Sequence, residues 1–140
     1  MNNIHSGFVF NAVMVVDDTF TDRFIAEHYI KLCKMAPRII MQDSGKNALE
    51  YLIENANNKA LLPAIIFLDI RMPEMDGFEF LDRFVHLTEN IHDHCHIYML
   101  SSSLDPEDFK RVEEYSFVKG FISKPLNVEK INTVTTGVHV

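Results

Sequence analysis

Apolar positions along the chain fall into two alternating patterns, short β-rich runs and longer stretches in which apolar residues recur every three or four positions. Phe10-Asn11-Ala12-Val13-Met14-Val15-Val16 predicts a strand that stops at two acids, and Phe20, Phe24, Ile25, Tyr29 and Leu32 then follow at helical spacing up to Met35. Pro37 closes that helix, and Arg38-Ile39-Ile40-Met41-Gln42 predicts a second strand leading into Asp43-Ser44-Gly45. Ala48, Leu49, Leu52 and Ile53 predict a second helix, stopped in the Asn55-Ala56-Asn57-Asn58-Lys59 stretch. Pro63 to Leu68 is almost continuously apolar, the pattern of a central parallel strand covered on both faces. The turn-like segment Arg71 to Gly77 precedes Phe78, Leu81, Phe84 and Val85, again at helical spacing. His96 to Leu100 predicts a fourth strand, Pro106 to Tyr115 a helix, Val118 to Ile122 a fifth strand, and Asn127 to about Thr136 a final helix.

Strand and helix thus alternate five times through short connections. Right-handed crossovers then place helices on both faces, so the expected fold is α/β, a doubly wound five-stranded parallel sheet. The 140 residues are expected to form a single domain over 1–140, with residues 1–9 a flexible N-terminus. A chain that is 47% hydrophobic with 11 Phe and only 5 Gly and 5 Pro is neither disordered nor fibrous. The net charge of -7 and the lack of any basic cluster argue against direct nucleic-acid binding. Cys33 and Cys95 are too few and too far apart for a disulfide framework or a zinc site, and both are expected as buried thiols. No apolar run approaches the length of a membrane span, and Met1 to Phe10 carries no signal-peptide pattern, so a cytoplasmic protein without a membrane association is expected.

Three apolar runs end in reactive groups: Val15-Val16-Asp17-Asp18, Ile66-Phe67-Leu68-Asp69 and Phe121-Ile122-Ser123-Lys124-Pro125. In one parallel sheet these ends converge at the edge where open α/β sheets hold ligands. Adjacent acids such as Asp17 and Asp18 repel each other unless a cation lies between them, and Mg²⁺, with its oxygen-only shell, suits them best. The alternative for either acid is capping of the first helix. Asp69 is expected to be rigid at its base and exposed at its tip, which suits a nucleophile attacking phosphorus in line, with Lys124 as a point charge on the phosphoryl oxygens. Ser101, directly after the fourth strand, offers a hydroxyl to a phosphoryl oxygen; the alternative for this Ser101-Ser102-Ser103 run is a turn or cap.

The ordered set resembles the receiver domain of two-component response regulators over essentially the whole chain. The resemblance implies the strand order 2-1-3-4-5 of the flavodoxin-like (βα)5 three-layer sandwich. It implies Asp69 as phosphoacceptor, in Leu68-Asp69-Ile70-Arg71-Met72-Pro73-Glu74-Met75-Asp76-Gly77. The metal site would comprise Asp18 and Asp69 directly, Asp17 through water and the backbone carbonyl of Arg71. Lys124, Ser101 and Ser102 would contact the phosphate, a cis peptide would join Lys124 to Pro125, and Ser101 and Phe121 would be the switch pair. Phe121 departs from the family's usual Tyr and lacks its hydroxyl. Arg71 and Ser103 stand where side chains can flank an attacking water.

By the same resemblance the chain is a single-domain regulator that takes a phosphoryl group from a histidine kinase or histidine phosphotransfer protein onto Asp69 with Mg²⁺. It signals or relays to a downstream protein effector and is no enzyme beyond its own phosphorylation and dephosphorylation. A monomer or weak homodimer is expected. The output face would be Pro106–Tyr115, Val118–Phe121 and Asn127–Thr136, whose Asp105, Glu107, Asp108, Glu113 and Glu114, expected to be exposed, favour a basic partner. The competing readings are a small aspartyl-phosphate phosphatase, disfavoured because no insertion supplies a substrate pocket, and a docking module without chemistry, disfavoured because every reactive residue is present. Four of the seven histidines lie in His86 to His96, where a zinc site is conceivable but a solvated loop is the expected form.

Overall fold

The computed structural model describes residues 7–137. Strands β1 (Ala12–Val16), β2 (Arg38–Gln42), β3 (Ile65–Asp69), β4 (His96–Ser101) and β5 (Val118–Ser123) form one parallel sheet in the order β2-β1-β3-β4-β5. This is the doubly wound sheet expected from the sequence. Six helices connect and cover it: α1 (Phe20–Leu32), α2 (Gly45–Glu54), α3 (Gly77–Phe84), α4 (Glu89–His94), α5 (Pro106–Val112) and α6 (Val128–Gly137).

The period of two along each strand divides the core into two layers. Val13, Val15, Ile65, Phe67, Leu100 and Ile122 point to one face, where Ala26 and Ile30 of α1 and Ile131 and Val134 of α6 cover them. Met14, Val16, Ile66, Leu68, Ile97 and Met99 point to the other, against Leu52 of α2, Phe78 and Phe84 of α3, Ile91 of α4 and Val112 of α5. All five residues of β1 and of β3 are buried, which is why these runs read as continuously apolar up to their terminal acids.

Three expectations are corrected. The His86 to His96 segment is not a solvated loop: it contains the short helix α4, because Ile91 and Cys95 bury four residues apart. His92 lies edge-on to Phe84, His94 Nε2 lies 2.9 Å from the carbonyl oxygen of Leu62, and His96 begins β4. Cys33 is only half-buried, while Cys95 is buried. Asp108 is buried rather than exposed, for the reason given below. The expected flexible N-terminus lies mostly outside the described residues; within them, the Val9 and Phe10 amides both donate to the carbonyl of Met35.

α3 is started by a capping box, with the Asp76 carboxylate accepting from the Glu79 amide at 2.9 Å and Glu79 accepting from the Asp76 amide at 3.1 Å. Gly77, its first residue, packs directly on the end of β3. A Cβ there would lie 2.7 Å from the Asp69 carbonyl oxygen and 2.9 Å from Ile70 Cα, whereas at Gly45 it would meet the flexible Met75 side chain at 2.8 Å. Gly77→Ala is therefore expected to lower unfolding free energy by roughly 1–3 kcal/mol, and Gly45→Ala by clearly less, in urea titrations. Equal costs at the two positions would contradict this account of the packing.

Candidate functional site

Strand register brings the site together. Val16 pairs with Leu68, so Asp17 stands level with Asp69; Asp69 pairs with Leu100 and Ser101 with Ser123, so Lys124 follows one step beyond. The alternation also sets which face each residue continues. Asp17, Asp69 and Lys124 extend the rows of Val15, Phe67 and Ile122 on the α1–α6 face, and Ser101 extends the row of Met99 on the opposite face.

Lys124 Nζ lies 2.7 Å from Asp17 Oδ2, 2.9 Å from Asp22 Oδ2 and 3.1 Å from Asp69 Oδ1. Asp17 and Asp69 are 1% and 3% exposed, so the tip of Asp69, expected to be exposed, is instead buried beside Lys124, while Asp18 is exposed. One carboxylate oxygen from each of Asp17, Asp18 and Asp69 lies within 4.8 Å of the others. Asp17 also has a local role, since its Oδ1 accepts from the Thr19 amide at 2.9 Å while the Thr19 side chain makes no cap of its own. Asp17 thus holds the residue before α1 through Oδ1 rather than capping the helix, while its Oδ2 lies against Lys124.

Burial, then the charge of Asp17, pushes the Asp69 carboxyl up to about 6, against the pull of Lys124 and the Arg71 amide. Burial works against the charge of Lys124, but close contacts with Asp17 and Asp22 and the charge of Asp69 more than offset it, holding its pKa above the ordinary range. Lys124 therefore stays charged across the physiological range, and Asp69 is a carboxylate whose negative charge is costly without a further cation.

The donor set fits a divalent ion. Asp17 Oδ2 is, among the described residues, the one buried side-chain polar atom without a directed hydrogen bond, since its close contact with Lys124 lies outside hydrogen-bond angles. Carboxylates alone supply the side-chain ligands, the hard oxygen set that Mg²⁺ takes.

The other sequence candidates are placed less directly. The Ser101 hydroxyl is buried and turned into its own loop, donating to the Ser103 carbonyl at 2.9 Å and accepting from the Ser103 amide at 3.1 Å. Ser102 is exposed, and the Lys124–Pro125 peptide is cis. The half-buried Phe121 ring stacks on Phe109 of α5 with centroids 4.1 Å apart. The Arg71 amide lies 3.4 Å from Asp69 Oδ1, but its guanidinium turns away to meet Asp108 Oδ2 at 2.6 Å. This partner is why Asp108 can bury its charge on α5.

Sequence reasoning missed Asp22 and the pairing of Arg71 with Asp108. Asp22 follows Asp18 by four residues and lies in the first turn of α1, where an acid has the ordinary role of complementing the helix dipole. Its partner is 102 positions away, so only the closed sheet reveals the contact.

The chain is similar to known proteins along nearly its whole length. A two-component response regulator of Oryza sativa subsp. indica is 30% identical over 120 residues, covering 86% of this chain and 84% of that protein. The crystal structure of a two-component response regulator from Cytophaga hutchinsonii shares 28% identity with a TM-score of 0.80, covering 92% of this chain and 97% of the other. A histidine kinase of Arabidopsis thaliana is 40% identical over 75 residues, covering 48% of this chain and 6% of the kinase. Residues 13–136 match the family described as the response regulator receiver domain. With its sheet order and its cluster of three aspartates, the chain belongs to that family.

Proposed function

We propose that this chain is a response regulator receiver in which Asp69 accepts a phosphoryl group from a phosphohistidine, with Mg²⁺ held by Asp18 and Asp69, by Asp17 through water and by the Arg71 carbonyl. The observation that carries this reading is the convergence of Asp17, Asp69 and Lys124 at one strand edge, with the Asp18 carboxylate beside them. A divalent ion there would neutralise charge on the carboxylates and on the incoming phosphoryl oxygens. A carboxylate oxygen of Asp69 attacks phosphorus; the P–N bond to the donor imidazole breaks, and its electron pair stays on the ring nitrogen. Lys124 meets the transferred oxygens with a fixed charge, because burial among carboxylates holds it beside Asp69. Hydrolysis of the aspartyl phosphate returns the carboxylate, so catalysis is limited to the domain's own phosphorylation and dephosphorylation.

The donor is a histidine kinase or histidine phosphotransfer protein, a reading supported by the likeness to a segment of a plant histidine kinase. Among the described residues no helix is long and apolar enough to cross a membrane, in keeping with a cytoplasmic partner exchange. The output face comprises α5, β5 and α6, and signals to a protein effector. Two contacts lead there from the site, Arg71 with Asp108 and Phe121 with Phe109, both ending on α5. For Ser101 to reach a phosphoryl oxygen its hydroxyl must leave Ser103, which loosens the loop before α5 and the space beside Phe121. Glu107, Glu113 and Glu114 remain exposed and favour a basic effector surface; Asp108 is excluded by its ion pair.

Incubation with acetyl phosphate and Mg²⁺ is expected to add one labile phosphoryl group by intact mass, lost in Asp69→Asn. Persistence of the adduct in that variant would move the acceptor elsewhere. Beryllofluoride with Mg²⁺ is expected to shift backbone amide resonances in α5 and around Phe121 as well as beside Asp69; changes confined to the Asp69 pocket would contradict the output face. The raised Asp69 pKa also fixes a pH dependence. The folded state holds this proton more tightly than the unfolded chain does, so its stabilising contribution is complete below about 4 and lost as pH rises through about 6. In EDTA, Asp69→Asn should therefore gain on the wild type by up to about 3 kcal/mol between pH 4 and 7, and Mg²⁺ should narrow the gap. A difference independent of pH would show that the Asp69 charge is not strained.

A further inference from the structure

We propose that Asp22 is a positioning residue that holds the Lys124 ammonium in the absence of a phosphoryl group and gives it up when one arrives on Asp69, weakening the site's grip on that group. This rests on Asp69 being the phosphoacceptor. Three carboxylates surround the Lys124 ammonium, and of these only Asp22, at 2.9 Å, receives a directed hydrogen bond, the contacts to Asp17 at 2.7 Å and Asp69 at 3.1 Å being ion pairs without hydrogen-bond geometry. Asp22 thus aims the ammonium in the absence of a phosphoryl group, and a phosphoryl oxygen on Asp69 competes with it for that direction and charge.

The three carboxylates differ in how readily they can let go. Asp17 is buried and fixed through its other oxygen to the Thr19 amide, so losing Lys124 would leave a buried charge uncompensated. Asp69 is the attachment point itself. The Asp22 side chain is 34% exposed, so its carboxylate can exchange the ammonium for water at little cost. That makes Asp22 the ligand that is exchanged, and its charge a standing competitor to the phosphoryl oxygens. The ordinary role of an acid at this position is to complement the N-terminus of α1, and by itself that would alter helix stability without touching affinity at Asp69.

The test measures beryllofluoride affinity of the Mg²⁺-loaded full chain by ¹⁹F NMR. Asp22→Asn is expected to bind about threefold more tightly than the wild type, the scale of losing one partly exposed charge pair. Asp22→Glu, which keeps the charge, should return toward wild-type affinity. Glu27→Gln, on the same helix but paired with Lys31 rather than Lys124, should leave it unchanged. Unchanged or weaker binding in Asp22→Asn, or an equal gain in Glu27→Gln, would overturn the proposal. If Asp22→Asn does not fold, the wild type decides: a scalar coupling between Lys124 ¹⁵Nζ and Asp22 ¹³Cγ should be present without beryllofluoride and vanish with it, and its persistence would overturn the proposal. Absence of any binding to the wild type would instead remove Asp69 as phosphoacceptor, an outcome distinct from those above.

Discussion

The contact between the Lys124 ammonium and the carboxylates at the C-terminal edge of the sheet is the constraint on which the site depends. Asp17 and Asp69 are almost wholly buried, and neither could keep its charge there without a cation close by. Lys124 supplies one, from just past the end of β5, and the register of β1, β3, β4 and β5 brings all three to the same edge of the sheet. One ammonium among four nearby carboxylates leaves negative charge in excess. Burial is the first cause of the elevated Asp69 pKa and the charge of Asp17 adds to it, while the excess of negative charge suits the cluster to a divalent ion.

The surrounding fold is arranged around that edge. Gly77 lets α3 begin against the backbone of Asp69 and Ile70, and the Gly77 amide donates to the Ile70 carbonyl at 2.8 Å, fixing the loop that carries Arg71. The Arg71 guanidinium, freed from the site, ties this loop to α5 through Asp108. A change at Asp69 is thereby placed next to an element that also stacks on β5 through Phe109 and Phe121. Such a chain of contacts can bias two packings without any long displacement.

Much of this was legible in the sequence because parallel central strands are apolar throughout and stop abruptly at their reactive ends. The runs before Asp17, Asp69 and Lys124 therefore located the strands and the edge where these residues converge, and the common face they share came only with the register of the sheet. Contacts between a polar helix position and a distant residue were not legible. Asp22 and Asp108 each sit in the first turn of a helix, where acids are ordinary, and their partners are far away in sequence. Helix α4 escaped because its buried spacing, Ile91 to Cys95, is a single i,i+4 pair beside histidines that suggest alternation. The orientation of Ser101 depends on a hydroxyl choosing Ser103 over the site, which composition does not encode.

The central claim is that residues remote in sequence share one divalent ion beside the carboxylate of Asp69. A crystal of the chain grown with Mn²⁺ and beryllofluoride measures this most directly, through the anomalous signal of the manganese. The account predicts one strong peak in contact with Asp18 and Asp69, with the beryllofluoride on Asp69 and its fluorine within hydrogen-bond reach of Lys124 Nζ. Manganese bound away from these carboxylates, or beryllofluoride on another side chain, would contradict it.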